Sequence, residues 1–164
     1  MTLDIDEKTL RVAVEHVRFR SRLMEFAKES NRIEGITNTD DNERMFQKLA
    51  AFLKLEKLTV ENVCEFNEWG KLRDKKGMNA WVGEYVAPHG GRSIAVDLEE
   101  ILVLCSLANC SPYEVHIGFE EIHPFTDGNG RTGRAIWLWQ MVRQHGYDLS
   151  LGFLHKFYYQ ALSQ

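Results

Sequence analysis

Apolar positions recur three and four residues apart over most of the chain, and β-forming residues cluster in only one stretch. Leu10, Val14, Val17, Ser21 and Met24 fall at helical spacing and predict an opening helix that runs to about Glu34. Gly35 fits the left-handed residue that often ends a helix. The polar run TNTDDNE reads as a linker. Met45, Phe46, Leu49, Phe52 and Leu53 predict a second helix. Val60, Val63, Phe66 and Trp69 predict a third, with Thr59 as its N-cap.

From Gly77 to Val96 the character changes. WVGEYVAPHGGRSIAV carries β-formers on both sides of a Pro-His-Gly-Gly turn, which predicts a hairpin with His89, Gly90 and Gly91 at its tip. Asp97 and Glu100 resemble a capping box that opens a helix through ILVLCSLA. Ser111, Pro112 and Glu114 form a stronger start signal, for a helix ending near Ile122. A further helix begins around Asn129, carries Ile136, Trp137, Trp139, Gln140 and Val142, and stops at Gly146. A last amphipathic segment runs from Ser150 to the C-terminus. The expected fold class is all-α, a mainly helical single domain over 1–164 with one short hairpin.

Composition narrows the function classes. The 164 residues carry 44% hydrophobic and 27% charged positions, ordinary for a soluble globular protein. A net charge of −4 argues against a general nucleic-acid or anionic-membrane binder, although Arg131, Arg134 and Arg143 gather in one region. Cys64, Cys105 and Cys110 show no C-x-x-C spacing and read as free thiols of a reducing compartment. The acidic start MTLDIDEKTL lacks the apolar core of a signal peptide, and no run approaches the ~20 apolar residues that span a bilayer. A cytoplasmic protein is expected.

The chemistry concentrates in HPFTDGNGRTGR, His123 to Arg134. The stretch bridges two helices, and its second half is the N-terminus of the later one. Such an end presents unsatisfied N–H groups and partial positive charge, which suit phosphate. Gly128 and Gly130 let the backbone approach an anion closely. Arg131 and Arg134 share one helix face, and guanidinium groups bind phosphate oxygens in bidentate fashion. Asp127 is a hard oxygen ligand where a phosphate-bridging Mg²⁺ would be held. His123, with an ordinary pKa of ~6.5, would serve as a general base. Phe125 is most simply a core anchor that pins the loop. No G-x-x-x-x-G-K-[ST] occurs, so a Walker-type loop is excluded.

The complete string matches the signature H-x-F-x-[DE]-G-N-G-R-x-x-R, and the chain resembles the Fic family over roughly Val60 to Leu154. The resemblance implies a Fic fold and transfer of AMP from ATP to a Ser, Thr or Tyr hydroxyl of a target protein and of the protein itself, with release of pyrophosphate. Carried to this chain, it implies that His123 takes the proton from the hydroxyl and that Asp127 holds Mg²⁺ on the α- and β-phosphates. Gly128, Asn129 and Gly130 would form the anion hole, with the Asn129 side chain on the α-phosphate. Arg131 would bind the β-phosphate and Arg134 the γ-phosphate. The hairpin, about 77–96, would be the flap to which a target segment adds as a strand.

One feature of the opening helix joins this picture. Ser30, Glu34 and Gly35 in SNRIEGI fit the family's inhibitory pattern [ST]-x-x-x-E-[GN], with Ser30 and Glu34 four apart. Glu34 is then expected to pair with Arg134 and to deny it to the γ-phosphate. Three other readings remain. The same glutamate would serve removal of AMP in some relatives. Doc-like relatives transfer phosphate, but they carry lysine where Gly130 stands. A nucleotide-binding module without transferase activity would not need His123. The sequence also admits a homo-oligomer whose interface shifts the N-terminal helix.

Overall fold

The computed structural model describes the backbone of residues 7–145 and the side chains of residues 16–144. The expected stop at Gly146, the segment from Ser150 onward, and the side chains of Leu10 and Val14 lie outside the described residues. Among the described residues the regular structure is six α-helices and one two-stranded antiparallel hairpin, which is the mainly helical fold class expected. The chain divides into two compact units, Met1–Ala50 with His145–Gln164, and Ala51–Gln144.

In the first unit α1 spans Glu7–Ile33, and α2, Thr39–Leu53, begins. The buried row on α1 is Leu23, Phe26, Ala27, Ser30 and Asn31. The expected row through Val17, Ser21 and Met24 is not the buried one, for Val17 is 65% exposed. The two rows lie one position apart, about 100° around the helix. Spacing alone admits both, and the row with the Phe26 ring removes more apolar surface from water.

Gly35 closes α1 in the left-handed region, φ +77°, while the N–H groups of Glu34 and Ile36 both reach the Asn31 carbonyl at 2.9 Å. Glu34 therefore falls in the closing turn rather than on the helix. TNTDDNE is not a linker. Asn38 accepts the Asp41 N–H at 2.9 Å, and Asp40 and Asp41 complement the positive end of α2. Met45, Phe46 and Leu49 are buried as expected, with the Arg20 guanidinium 5.0 Å over the Phe46 ring.

In the second unit α3 spans Val60–Phe66 and carries the predicted cap. The Asn62 N–H donates to Thr59 Oγ1 at 3.2 Å and the Thr59 N–H to Asn62 Oδ1 at 2.9 Å. Trp69 lies beyond this helix. The hairpin is much shorter than the expected 77–96. Strands β1 (Trp81–Val82) and β2 (Tyr85–Val86) pair with Trp81 opposite Val86, and the chain reverses at Gly83, φ +59°.

His89, Gly90 and Gly91 are not its tip. A Cβ on Gly90 would lie 2.4 Å from the Met78 carbonyl oxygen, and Gly91 is the N-cap of α4, Arg92–Cys105. These glycines serve a close approach and a helix start, so α4 opens ahead of the Asp97 box.

Helix α4 buries Ile94, Leu98, Leu102 and Cys105 and packs against α3 and α5. Helix α5, Pro112–Ile122, starts with proline in its first turn as predicted, although the Ser111 side chain makes no capping bond. Helix α6, Asn129–His145, is buried at every residue from Arg131 to Gln140. Its loops are tied to it by side chains: Trp139 Nε1 donates to the Leu55 carbonyl at 2.9 Å, and Gln140 Nε2 to the Cys110 carbonyl at 2.9 Å. The three cysteines are free thiols. No described helix is long and apolar enough to cross a membrane.

Candidate active site

Helix α5 ends on His123, at φ 48° and ψ 59°, the one non-glycine residue with positive φ among the described residues. A side chain in this region costs about 1–2 kcal/mol, so the surroundings must hold it there. The His123 N–H reaches back to the Phe119 carbonyl at 3.0 Å. Phe125 is buried, 1% exposed.

Asn129, the first residue of α6, grips the Phe125 main chain at both ends. Its Oδ1 accepts the Phe125 N–H at 2.9 Å and its Nδ2 donates to the Phe125 carbonyl at 2.8 Å. The buried side chain thereby closes the loop. Gly128 has φ +75°, and a Cβ there would lie 2.8 Å from both Asn67 Oδ1 and Trp69 Cε3. Glycine is required on both counts. Gly130 is half-buried in the first turn of α6.

The loop runs antiparallel to the irregular strip 67–73, where Leu72 pairs with Phe125. The Arg73 N–H donates to the Pro124 carbonyl and the Thr126 N–H to the Lys71 carbonyl, each at 2.9 Å. Asn67 Nδ2 donates to the Asp127 carbonyl at 2.9 Å, and its Oδ1 accepts the N–H groups of Trp69 and Gly70 at 3.0 Å. A Cβ on Gly70 would lie 2.4 Å from the Asp127 nitrogen.

Arg73, with no exposed surface, donates to four main-chain carbonyls. They are His123 at 2.7 Å, Ile122 at 2.8 Å, and Met78 and Pro88 at 2.9 Å each. Sequence reasoning missed a site role for this strip. Asn67 and Gly70, both turn formers just past a short helix, were the available signal; a buried arginine reads in sequence like a solvated one.

The Arg131 guanidinium lies 3.8 Å over the Trp69 ring, and Arg134 is 1% exposed. Gly133 lets α5 and α6 meet, since a Cβ would come within 2.6 Å of Glu120 Oε1 and 2.9 Å of Phe119. Beside it the His116 pKa is pushed down to about 4, chiefly by burial and further by the Arg134 charge, with the Gly133 backbone opposing. The His123 pKa is also lowered, by burial first and by the Arg73 charge second, with the Glu120 backbone opposing. At neutral pH its imidazole is therefore a free base.

Asp127 is exposed, and its Oδ1 accepts the Gly128 N–H at 2.6 Å. No group of three or more His, Cys, Asp or Glu among the described residues could hold a metal alone. A single exposed carboxylate fits Mg²⁺ that brings phosphate oxygens and water as its other ligands.

The structure thus brings His123, Phe125, Asp127, Gly128, Asn129, Gly130, Arg131 and Arg134 onto one loop and one helix N-terminus. In the first unit Ser30 is buried, Glu34 is exposed and Gly35 is left-handed. A family model described as the Fic/DOC family matches residues 111–141, which take in α5, the loop and most of α6. No curated protein matches the chain.

Proposed function

On the premise of the Fic/DOC-family match over residues 111–141, we propose that the chain is a transferase that moves AMP from ATP to a hydroxyl of a target protein and of itself. The observation that carries the reading is the short loop that puts a neutral histidine next to a helix N-terminus and its two buried arginines. A base for the hydroxyl and donors for the phosphates then stand on the two sides of one bond exchange.

The hydroxyl oxygen bonds to the α-phosphorus and its proton passes to a ring nitrogen of His123. The bond from the α-phosphorus to the bridging oxygen breaks, and pyrophosphate leaves. The N–H groups at the start of α6 and the guanidinium of Arg131 receive phosphate charge, while Arg134 serves the γ-phosphate. Asp127 would hold Mg²⁺, which supplies further charge neutralisation when bound. Asn129 keeps the loop shut. Such chemistry asks the protein mainly for position and electrostatics.

Trp81, Val82, Tyr85 and Val86 are exposed on the hairpin, which supports docking of a target segment there as an added strand. We further propose that Glu34 restrains the reaction by competing with the γ-phosphate for Arg134. A coupling of about 1–3 kcal/mol would give roughly 5- to 150-fold inhibition.

Intact mass after incubation with Mg²⁺ and ATP tests both parts. Addition of an adenylyl group that is lost in His123→Ala supports the transfer, and a gain in Glu34→Gly supports the restraint. No His123-dependent adduct in either wild type or Glu34→Gly would overturn the transfer. Equal labelling of wild type and Glu34→Gly would overturn the restraint.

A further inference from the structure

Five N–H donors on one rigid fork make arginine suited to tie several acceptors at fixed angles. All four hydrogen bonds of the Arg73 guanidinium go to main-chain carbonyls. Two of them, Ile122 and His123, are at the C-terminal end of α5, where helix carbonyls lack intrahelical donors. The other two, Met78 and Pro88, lie on either side of the hairpin that spans Trp81–Val86.

The main chain of Arg73 extends the same joint. Its N–H binds the Pro124 carbonyl and its own carbonyl accepts the Gly91 N–H, each at 2.9 Å. One fully buried residue therefore links the left-handed cap that aims the His123 ring, the loop behind it and both legs of the hairpin.

We infer that Arg73 is a positioning residue that fixes His123 and the hairpin stem as one piece, so that base and docked target keep a constant geometry. The inference rests on the reading of His123 as the base. A point charge on a flexible stem cannot reproduce the fork, so lysine at this position keeps the charge and loses the geometry. Glutamine loses both. The charge also bears on the His123 ring, which is pushed down first by burial, then by Arg73, and pulled back by the Glu120 backbone.

The test uses the full chain in the Glu34→Gly background, with Arg73→Lys and Arg73→Gln compared by kcat, KM for ATP and pH profile. Arg73→Lys should lower kcat by about 10- to 100-fold, with KM for ATP within about twofold and the acidic limb of the profile unmoved. Arg73→Gln should lower kcat at least as far and move the acidic limb to higher pH. Wild-type kcat in Arg73→Lys, or loss expressed in KM for ATP alone, overturns the inference.

A measurement on the unsubstituted chain decides the matter if the variants do not fold. The Arg73 Nε–H resonance should be protected from solvent exchange and should shift as His123 ionises. Exchange as fast as that of exposed arginines overturns the joint. Absence of His123-dependent adenylylation in the Glu34→Gly chain removes the base, and the positioning role with it. The resonance then decides separately whether the joint exists.

Discussion

Two irregular strips lie side by side in this molecule, and they divide the labour. The loop 123–128 carries groups that can meet a substrate: the His123 ring, the Asp127 carboxylate and the backbone at Gly128. The strip 67–73 carries groups that hold the loop and its neighbours, the hairpin stem and the ends of α5 and α6. Asn67 and Arg73 donate to the loop's main chain, and Gly70 leaves room for it. The loop departs from regular geometry at His123 and Gly128, and the neighbour satisfies the backbone groups that regular structure would otherwise pair. Strain in the loop is thus held by polar burial one strip away.

If the two strips differ in this way, substitutions in them should separate activity from stability. The largest effect belongs to the loop. His123→Ala should lower the transfer rate by about 10²- to 10⁴-fold, while its melting temperature stays close to wild type. A fall in both together would mean that the ring supports the fold and the division fails.

Next in size is the acid response of His116, which lies in neither strip and serves as an internal reference. Its pKa is about 4 in the folded chain against an ordinary 6.5, so between these values the unfolded chain binds the proton and the folded chain does not. Stability then falls as pH drops through that window, by about 3 kcal/mol across it. Urea unfolding of wild type and His116→Gln at pH 7 and pH 4.5 reads it, and the variant should lose less on acidification. An equal loss in both would remove burial of His116 as the cause.

Gly128→Ala should show the support strip from the other side. The left-handed φ alone costs about 1–2 kcal/mol, and contact with Asn67 and Trp69 adds to it, so urea unfolding should report at least that loss. Unchanged stability would mean that the strip yields easily.

The smallest effect should come from Trp69→Leu, which removes the ring beneath Arg131. A cation–π contact contributes about 0.5–2 kcal/mol, so ATP affinity by calorimetry should weaken a few-fold, with the heat of unfolding little changed. Unaltered ATP affinity would confine Trp69 to packing.

How much of this was legible in the sequence depends on where each signal is stored. The helix over Pro112–Ile122, the Thr59 cap and the left-handed Gly35 follow from local rules, in which neighbours within four residues decide the outcome. The motif was legible for a second reason: chemistry demands particular residue types at particular spacings, and His123 to Arg134 supplies them together. The hairpin tip was misread because PHGG and VGEY both offer turn residues. Only packing against Met78 and the start of α4 assigned the glycines of the former elsewhere. The buried row of α1 was misread because two rows one position apart share the same period.

The sequence by itself determined the helical class and the run from His123 to Arg134, whose residue types and spacing match the Fic/DOC family. These rest on local periodicity and on residue type, both present in the linear order. Tertiary structure alone decided that Trp69 underlies Arg131 and that Arg73 joins His123 to the hairpin. Those roles depend on which groups packing brings together, and residues fifty or more positions apart in the chain carry no local record of that meeting.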